Sequence, residues 1–182
     1  MRKRISVEEF GEQFSTVKQS SWRWECQGDY PIDHESMKKW LAKEPISQEE
    51  YKEDSEWLLY IQGLNEAGIP FERARMVTEP LTDYLAWMLA VTNSNIDAGE
   101  DIRWCKESSI RDLGMPDYDF YIFDDNRVVI FHHDENKIFT HAELVDDEAS
   151  VAAHRALREK VWPHAVPHRE FLFETIKNGV YH

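Results

Sequence analysis

Apolar residues recur at helical spacing in several stretches of the chain, and short alternating or continuous apolar runs lie between them. Ser6 followed three positions later by Glu9 is the reciprocal capping pattern, so residues 6–14 predict a short helix with Phe10 and Phe14 on one face. Ser21 to Cys26 sets Trp22, Trp24 and Cys26 against Arg23 and Glu25, the alternation of a half-buried strand. After Tyr30-Pro31, Asp33 is placed to cap a helix carrying Met37, Trp40 and Leu41, which must end before Pro45. Ser47 is expected to cap a longer helix reaching Glu66. Tyr51, Trp57, Leu58, Ile61 and Leu64 form its stripe, and Gly68 stands where a left-handed residue belongs.

The next stretch reads as strand, helix and strand in succession. In Phe71 to Val77, Arg73 and Arg75 share one face with Phe71 and Val77, while Ala74 and Met76 point away. A helix is expected from Pro80 to about Asn93, with Leu81, Tyr84, Leu85, Met88 and Leu89 on one face. Ala86, Trp87, Ala90 and Val91 cover much of the other, so this helix should be nearly surrounded. Asn93-Ser94-Asn95 and Ala98-Gly99 then turn the chain into Ile102-Arg103-Trp104. From Asp119 onward three apolar runs, 120–123, 128–131 and 138–145, predict an antiparallel meander with turns at Asp124-Asp125-Asn126 and Asp134-Glu135-Asn136. Asp146, Asp147 and Glu148 place acid at the start of a last domain helix that Pro163 stops.

These elements predict a single α+β domain, residues 1–166, with a mixed, largely antiparallel sheet of about six strands and packed helices. The 71–104 unit supplies one parallel pair through a right-handed crossover. Residues 167–182 form a helical tail. Phe171, Leu172 and Ile176 fall within one arc of it, and Gly179 after Asn178 is its expected stop; so short a helix is ordered only if that arc docks, on its own domain, the expected site, or on a second copy or partner.

Composition narrows the function classes. A hydrophobic content of 42% across 182 residues excludes a disordered chain. Thirty-five acidic against twenty-one basic residues give a net charge of −14, which repels phosphate backbones and anionic membranes and suits a partner with a basic face. Cys26 and Cys105 have neither a close pairing motif nor a secretory framework, so a reduced pair is expected. With no apolar leader after Met1-Arg2-Lys3-Arg4 and no membrane-length run, a cytoplasmic residence follows.

The sharpest chemical clue is the arginine set. Arg73 and Arg75 on one strand face, with Arg103, could clamp an anionic ligand beside Asp83 and Tyr84. The competing reading is an internal ion-pair network with Glu72, Glu79, Asp83 or Glu100. Asp117, Glu135 and Lys137 formally match a metal-dependent nuclease grammar, but Glu135 falls in an expected hairpin turn, off any rigid strand face. His132, His133 and His141 invite a metal reading that the expected register opposes. If Glu135 centres the turn, His133 pairs with Lys137 and His141 with Val129, leaving His133 and His141 about 13 Å apart with His132 on the other face. Pro163 and Pro167 likewise break the spacing of His164 and His168. No metal ligand set, cofactor motif or catalytic residue is therefore assigned, and aspartates 83, 101, 119, 124 and 125 are read as caps and turns.

The set Arg73-x-Arg75-Met76-Val77-x-Glu79-Pro80-Leu81-Thr82-Asp83-Tyr84-Leu85, with Ala98-Gly99-Glu100-Asp101-Ile102-Arg103, Asp119-Phe120-x-x-Phe123-Asp124-Asp125 and Ala165-Val166-Pro167, resembles an actinomycete family catalogued as domain of unknown function 6879. The resemblance covers roughly Trp22 to Pro167. It implies no reaction; it implies genomic neighbours that encode helix-turn-helix regulators. The expectation is a non-enzymatic regulatory or interaction protein working with such a regulator and not touching nucleic acid itself. The alternative is a small anionic-ligand binder or hydrolase using the arginine face.

Overall fold

A computed structural model describes residues 1–45 and 48–177, the side chains of 48–53 excepted. Eight strands form one mixed sheet: β1 (Arg2–Ile5), β2 (Ser21–Glu25), β3 (Phe71–Val77), β4 (Asp101–Lys106), β5 (Phe120–Phe123), β6 (Arg127–His133), β7 (Phe139–Val145) and β8 (Val166–Pro167), in the spatial order β1-β7-β6-β5-β2-β3-β4-β8. Pairing is antiparallel from β1 through β2, parallel across β2-β3-β4, and antiparallel again at β8. The expected α+β class holds. Two differences are physical. β1 and β8 are edge strands of four and two residues, too short to carry a periodic signal. A second parallel pair arises because β2 lies beside β3, so β2 is central and covered on both faces.

Helices α1 (Val7–Ser15), α3 (Gln48–Glu66) and α4 (Asp83–Ala98) pack on one sheet face, where Phe71, Tyr121, Phe123, Val129 and Phe131 form its apolar part. Helix α2 (His34–Leu41) leans on α4, and α6 (Glu148–Val161) covers the opposite face over Trp22, Trp24, Phe120 and Ile130. A one-turn helix, α5 (Glu107–Ile110), follows β4 and adds Ile110 to that second core. Among the described residues no helix is long and apolar enough to cross a membrane.

Local chemistry explains most boundaries. The Ser6–Glu9 capping box is formed in both directions, the Ser6 hydroxyl accepting at 3.1 Å and Glu9 Oε2 at 2.9 Å. Asp124 and Asp125 both have positive φ, the backbone of a tight hairpin turn. Asp124 Oδ1 also accepts from the amides of Lys18, Gln19 and Ser20, tying the entry of β2 to the β5-β6 turn. Helix α4 begins later than its sequence suggests, because the Thr82 hydroxyl caps the Leu85 amide, and it continues through the asparagines read as its stop. Asn93 and Asn95 are accommodated because their side chains find partners in Ala90 and Glu100. Gly99 ends the helix at φ 110, where an added Cβ would fall 2.5 Å from the Asn65 side chain, so this residue also sets how closely α3 approaches α4. Asp33 makes no capping bond, and Ser47 lies outside the described residues.

The tail helix α7 (His168–Lys177) packs on β4 and α4 with Phe171 and Leu172 of the expected arc, but the buried arc is turned toward His168 and Thr175 and leaves Ile176 out. His168, Phe171 and Thr175 are buried, whereas Ile176 is half exposed; Asn178 and Gly179 lie outside the described residues. Phe171 stacks on Trp104 at 5.5 Å, and the Trp104 indole N–H donates to His168 Nδ1 at 3.0 Å. That bond requires His168 to carry its proton on Nε2, which faces Asn93 Oδ1 at 3.3 Å.

Burial, reinforced by Arg75 and Arg169, pushes His168 down to about 4 from 6.5. A base whose folded value is depressed stabilises the fold fully above its unfolded value and loses that contribution as pH falls from 6.5 toward 4. The whole term is roughly 3 kcal/mol. Urea unfolding should therefore show the native protein losing about 2 kcal/mol more than a His168→Gln variant between pH 7 and pH 5. Equal losses in the two proteins would contradict this anchoring of α7.

Candidate functional site

The sheet face under α1, α3 and α4 carries charge at its centre. Parallel register places Arg23 opposite Arg73 and Glu25 opposite Arg75, with all four side chains on that face. Glu25 joins them. Its Oε1 accepts from Arg75 Nε at 2.6 Å, and its Oε2 lies 3.1 Å from Arg73 Nη1 and 3.3 Å from Arg23 Nη1. Arg73 also grips Glu100 Oε1 through Nε and Nη2 at 2.8 and 2.7 Å, and Asn95 completes Glu100 at 2.9 Å. Arg75 Nη1 donates to Thr92 at 3.1 Å, and its guanidinium lies 5.0 Å from the Trp104 ring centre.

Arg23 is the most loosely held of the three. Its Nη2 is 3.6 Å from Asp119 Oδ2, its Nε has no hydrogen-bond partner, and its side chain is 20% exposed against 10% and 4% for Arg73 and Arg75. Asp119 is itself occupied by the Tyr30 hydroxyl at 2.6 Å and the Cys26 amide at 2.9 Å.

This charged floor lies at the base of a cleft of about 1040 Å³. Phe10 and Phe14 of α1, Trp40 of α2, Trp57 of α3 and Tyr84, Trp87 and Met88 of α4 make its walls. Among the described residues its lining holds five basic side chains, Arg23, Lys39, Lys43, Arg73 and Arg75, against the acids Glu25, Asp33, Glu44 and Asp54. Glu100 and Asp119 lie behind the floor and are not part of the lining.

Electrostatics fix the protonation states. Burial alone would raise Glu25, but Arg75, Arg23 and Arg73 outweigh it and hold the carboxyl well below the usual range. Burial likewise opposes the charge on Arg73, and Glu100 and Glu25 more than restore it. Burial followed by nearby carboxylates drives the Tyr30 and Tyr84 hydroxyls upward. Asp33 is raised by burial, while its Oδ2 accepts from Tyr84 at 2.6 Å. Such a floor offers fixed charge and hydrogen-bond donors. Cys26 and Cys105 are buried in the opposite core, and desolvation raises both thiols, Cys105 to about 12, so neither is a poised nucleophile.

Of the residues singled out from sequence, Arg73, Arg75 and Tyr84 meet here. Arg103 does not. Parallel pairing sets it beside Ala74, on the other face, where it forks onto Asp101 at 2.7 and 3.1 Å and stacks 4.1 Å over Trp162. Asp83 is exposed in the first turn of α4, away from the lining. The floor's missing members were Arg23 and Glu25, read as the wet face of a half-buried strand. The available signal was that two neighbouring strands each carry charge at alternating positions. Asp117, Glu135 and Lys137 do not form a strand-borne set, since Glu135 is in a turn and Lys137 Nζ donates to the Gln27 carbonyl.

The expected β6-β7 register is wrong. Asp134 Oδ1 accepts from the amides of Asn136 and Ile138, and Lys137 takes positive φ, which lengthens the loop and shifts the pairing. His132 consequently opposes His141, their rings stacked at 4.3 Å, and Glu143 comes within reach.

Replacing Glu25 by Gln leaves three guanidiniums facing one another and should cost about 3 to 5 kcal/mol in urea unfolding. Asp101→Asn, which breaks the partly exposed pair with Arg103, should cost less than about 1 kcal/mol. Comparable losses would show that Glu25 is not the hub of a buried network.

The solved structures to which this chain is similar include two bacterial proteins. NucT from Helicobacter pylori superposes with a TM-score of 0.48 at 10% identity, over 92% of this chain and 97% of its own. Phosphatidylserine synthase from Haemophilus influenzae Rd KW20 gives a TM-score of 0.45 at 12% identity, over 87% of this chain and 36% of its own. No curated protein matches. Residues 8–173 match the family described as Domain of unknown function (DUF6879), a span reaching past both ends of the sequence blocks that suggested it, and the chain belongs to that family.

Proposed function

We propose that this protein is a non-enzymatic ligand-binding regulator whose cleft takes an amphipathic organic anion. The observation that carries the reading is the cleft itself. In a chain of net charge −14, three guanidiniums lie at its base beneath aromatic walls, and among the described residues its lining holds five basic and four acidic side chains. An apolar body with a carboxylate, phosphate or sulfonate head matches both parts of that surface, and the volume suits a small molecule. Arg23 is the residue with contacts to spare, while Arg73 and Arg75 are held by internal carboxylates. Binding is preferred to hydrolysis because Glu25 is locked ionised and the raised Tyr30 and Tyr84 hydroxyls are held protonated, which leaves no group poised to exchange a proton near neutral pH.

The second element of the proposal is a basic partner, a helix-turn-helix regulator, supported by the acidic surface and by the gene neighbourhood that the family resemblance implies. Ligand occupancy in the cleft would be the signal that the partner reads.

The test uses 1-anilinonaphthalene-8-sulfonate, an amphipathic anion whose fluorescence rises on burial. The native protein should bind one equivalent, and Arg23→Gln should weaken binding about tenfold, as for loss of a charge-assisted hydrogen bond. Far-ultraviolet circular dichroism should be unchanged in the variant. Absence of binding, or equal affinity in Arg23→Gln, overturns the assignment of the cleft. Purification from the native host should recover the regulator with the protein, and repeated recovery of the protein alone removes that partner from the proposal.

A further inference from the structure

On the sheet face opposite the cleft, the shifted register of β6 and β7 creates a second constellation. His132 and His141 are cross-strand partners, and Glu143 follows two residues along on the same side. One ligand atom from each lies within 4.8 Å of the others. We propose that His132, His141 and Glu143 form a divalent transition-metal site of the zinc class.

The hydrogen bonds around the cluster set it up for coordination. The Thr140 hydroxyl donates to the His132 carbonyl at 3.0 Å, so toward His141 Nδ1, 3.1 Å away, it must accept. His141 therefore carries its proton on Nδ1 and presents the Nε2 lone pair, the outer-sphere arrangement typical of metal-binding imidazoles. His132 Nε2 is a buried atom with no formed hydrogen bond, although Glu143 Oε2 is only 3.3 Å away. An unmet ring nitrogen beside a carboxylate oxygen and a second ring with a fixed tautomer is a place where a cation satisfies what the protein does not.

The donor set selects the ion. Two imidazoles and one carboxylate suit Zn²⁺ or Co²⁺, and leave a further position for water, whereas Mg²⁺ and Ca²⁺ demand oxygen ligands. The paired strands hold the three ligand residues on a rigid frame, with His132 and His141 directly opposite one another. Arg2 Nε, 3.2 Å from Glu143 Oε2, is the competing cation. Its side chain is 61% exposed, so releasing it costs little. Arg4, in register with Glu143, adds a repulsive charge that weakens binding without blocking it.

Calorimetric titration of the full chain with ZnCl₂, beside titration with MgCl₂, tests the site. One equivalent of Zn²⁺ should bind and Mg²⁺ should not. His141→Ala should lower Zn²⁺ affinity at least tenfold, and Glu143→Gln should lower it by a smaller factor while leaving circular dichroism unchanged. Co²⁺ in place of Zn²⁺ should give visible absorption that disappears in His141→Ala. No Zn²⁺ binding by the native protein overturns the proposal. So does unchanged affinity in both variants, which would assign the ion to others among the chain's eight histidines.

Discussion

One carboxylate, Glu25, organises the centre of this molecule. It stands on a strand with both faces covered and touches guanidiniums from two strands, with contacts at 2.6, 3.1 and 3.3 Å. Two buried arginines and the partly buried Arg23 would repel one another and lose hydration without compensation, a penalty of several kcal/mol for each buried ion. Glu25, with Glu100 and Asp119 behind it, offsets that penalty, and the parallel β2-β3 register sets it opposite Arg75 and within reach of the facing Arg23 and Arg73. A register slip of one residue would turn Arg23 and Glu25 into the Trp22–Trp24 core. The network thus fixes pairing, and through pairing it fixes which side chains form the floor of the cleft.

The same constraint explains why α4 lies where it does. Arg75 reaches Thr92, Glu100 takes Asn95, and Trp104 beneath Arg75 receives Phe171 and His168 from the tail helix. Charge at the sheet centre, the position of the aromatic wall and the docking of α7 are therefore one continuous set of contacts. The cleft above these ions is walled by apolar residues of α1, α3 and α4, among them Phe10, Phe14, Trp57 and Trp87.

Several of these features were legible in the residues alone. The Ser6–Glu9 box, the Asp124-Asp125 turn, the α+β class and the pairing of Arg73 with Arg75 on one face all follow from local chemistry or strict periodicity. What was hidden depended on pairing between distant segments. Arg103 has the right chemistry and the wrong face, because its neighbour on β3 is Ala74. Glu25 looked solvent-facing because alternation cannot distinguish water from a buried counter-ion. The histidines were misplaced because the Asp134 side chain, through its bonds to Asn136 and Ile138, lengthens the hairpin loop. The edge strands were too short to leave any pattern.

The most direct test of this account is a ¹³C titration of the Glu25 side-chain carboxyl by nuclear magnetic resonance. If Glu25 is the counter-ion that binds the three arginines, its carboxyl remains ionised as pH falls through the ordinary carboxylate value of 4.5, and protonates only as the fold is lost. A carboxyl that titrates near 4.5 in the intact protein would contradict the network on which the sheet register and the cleft floor depend.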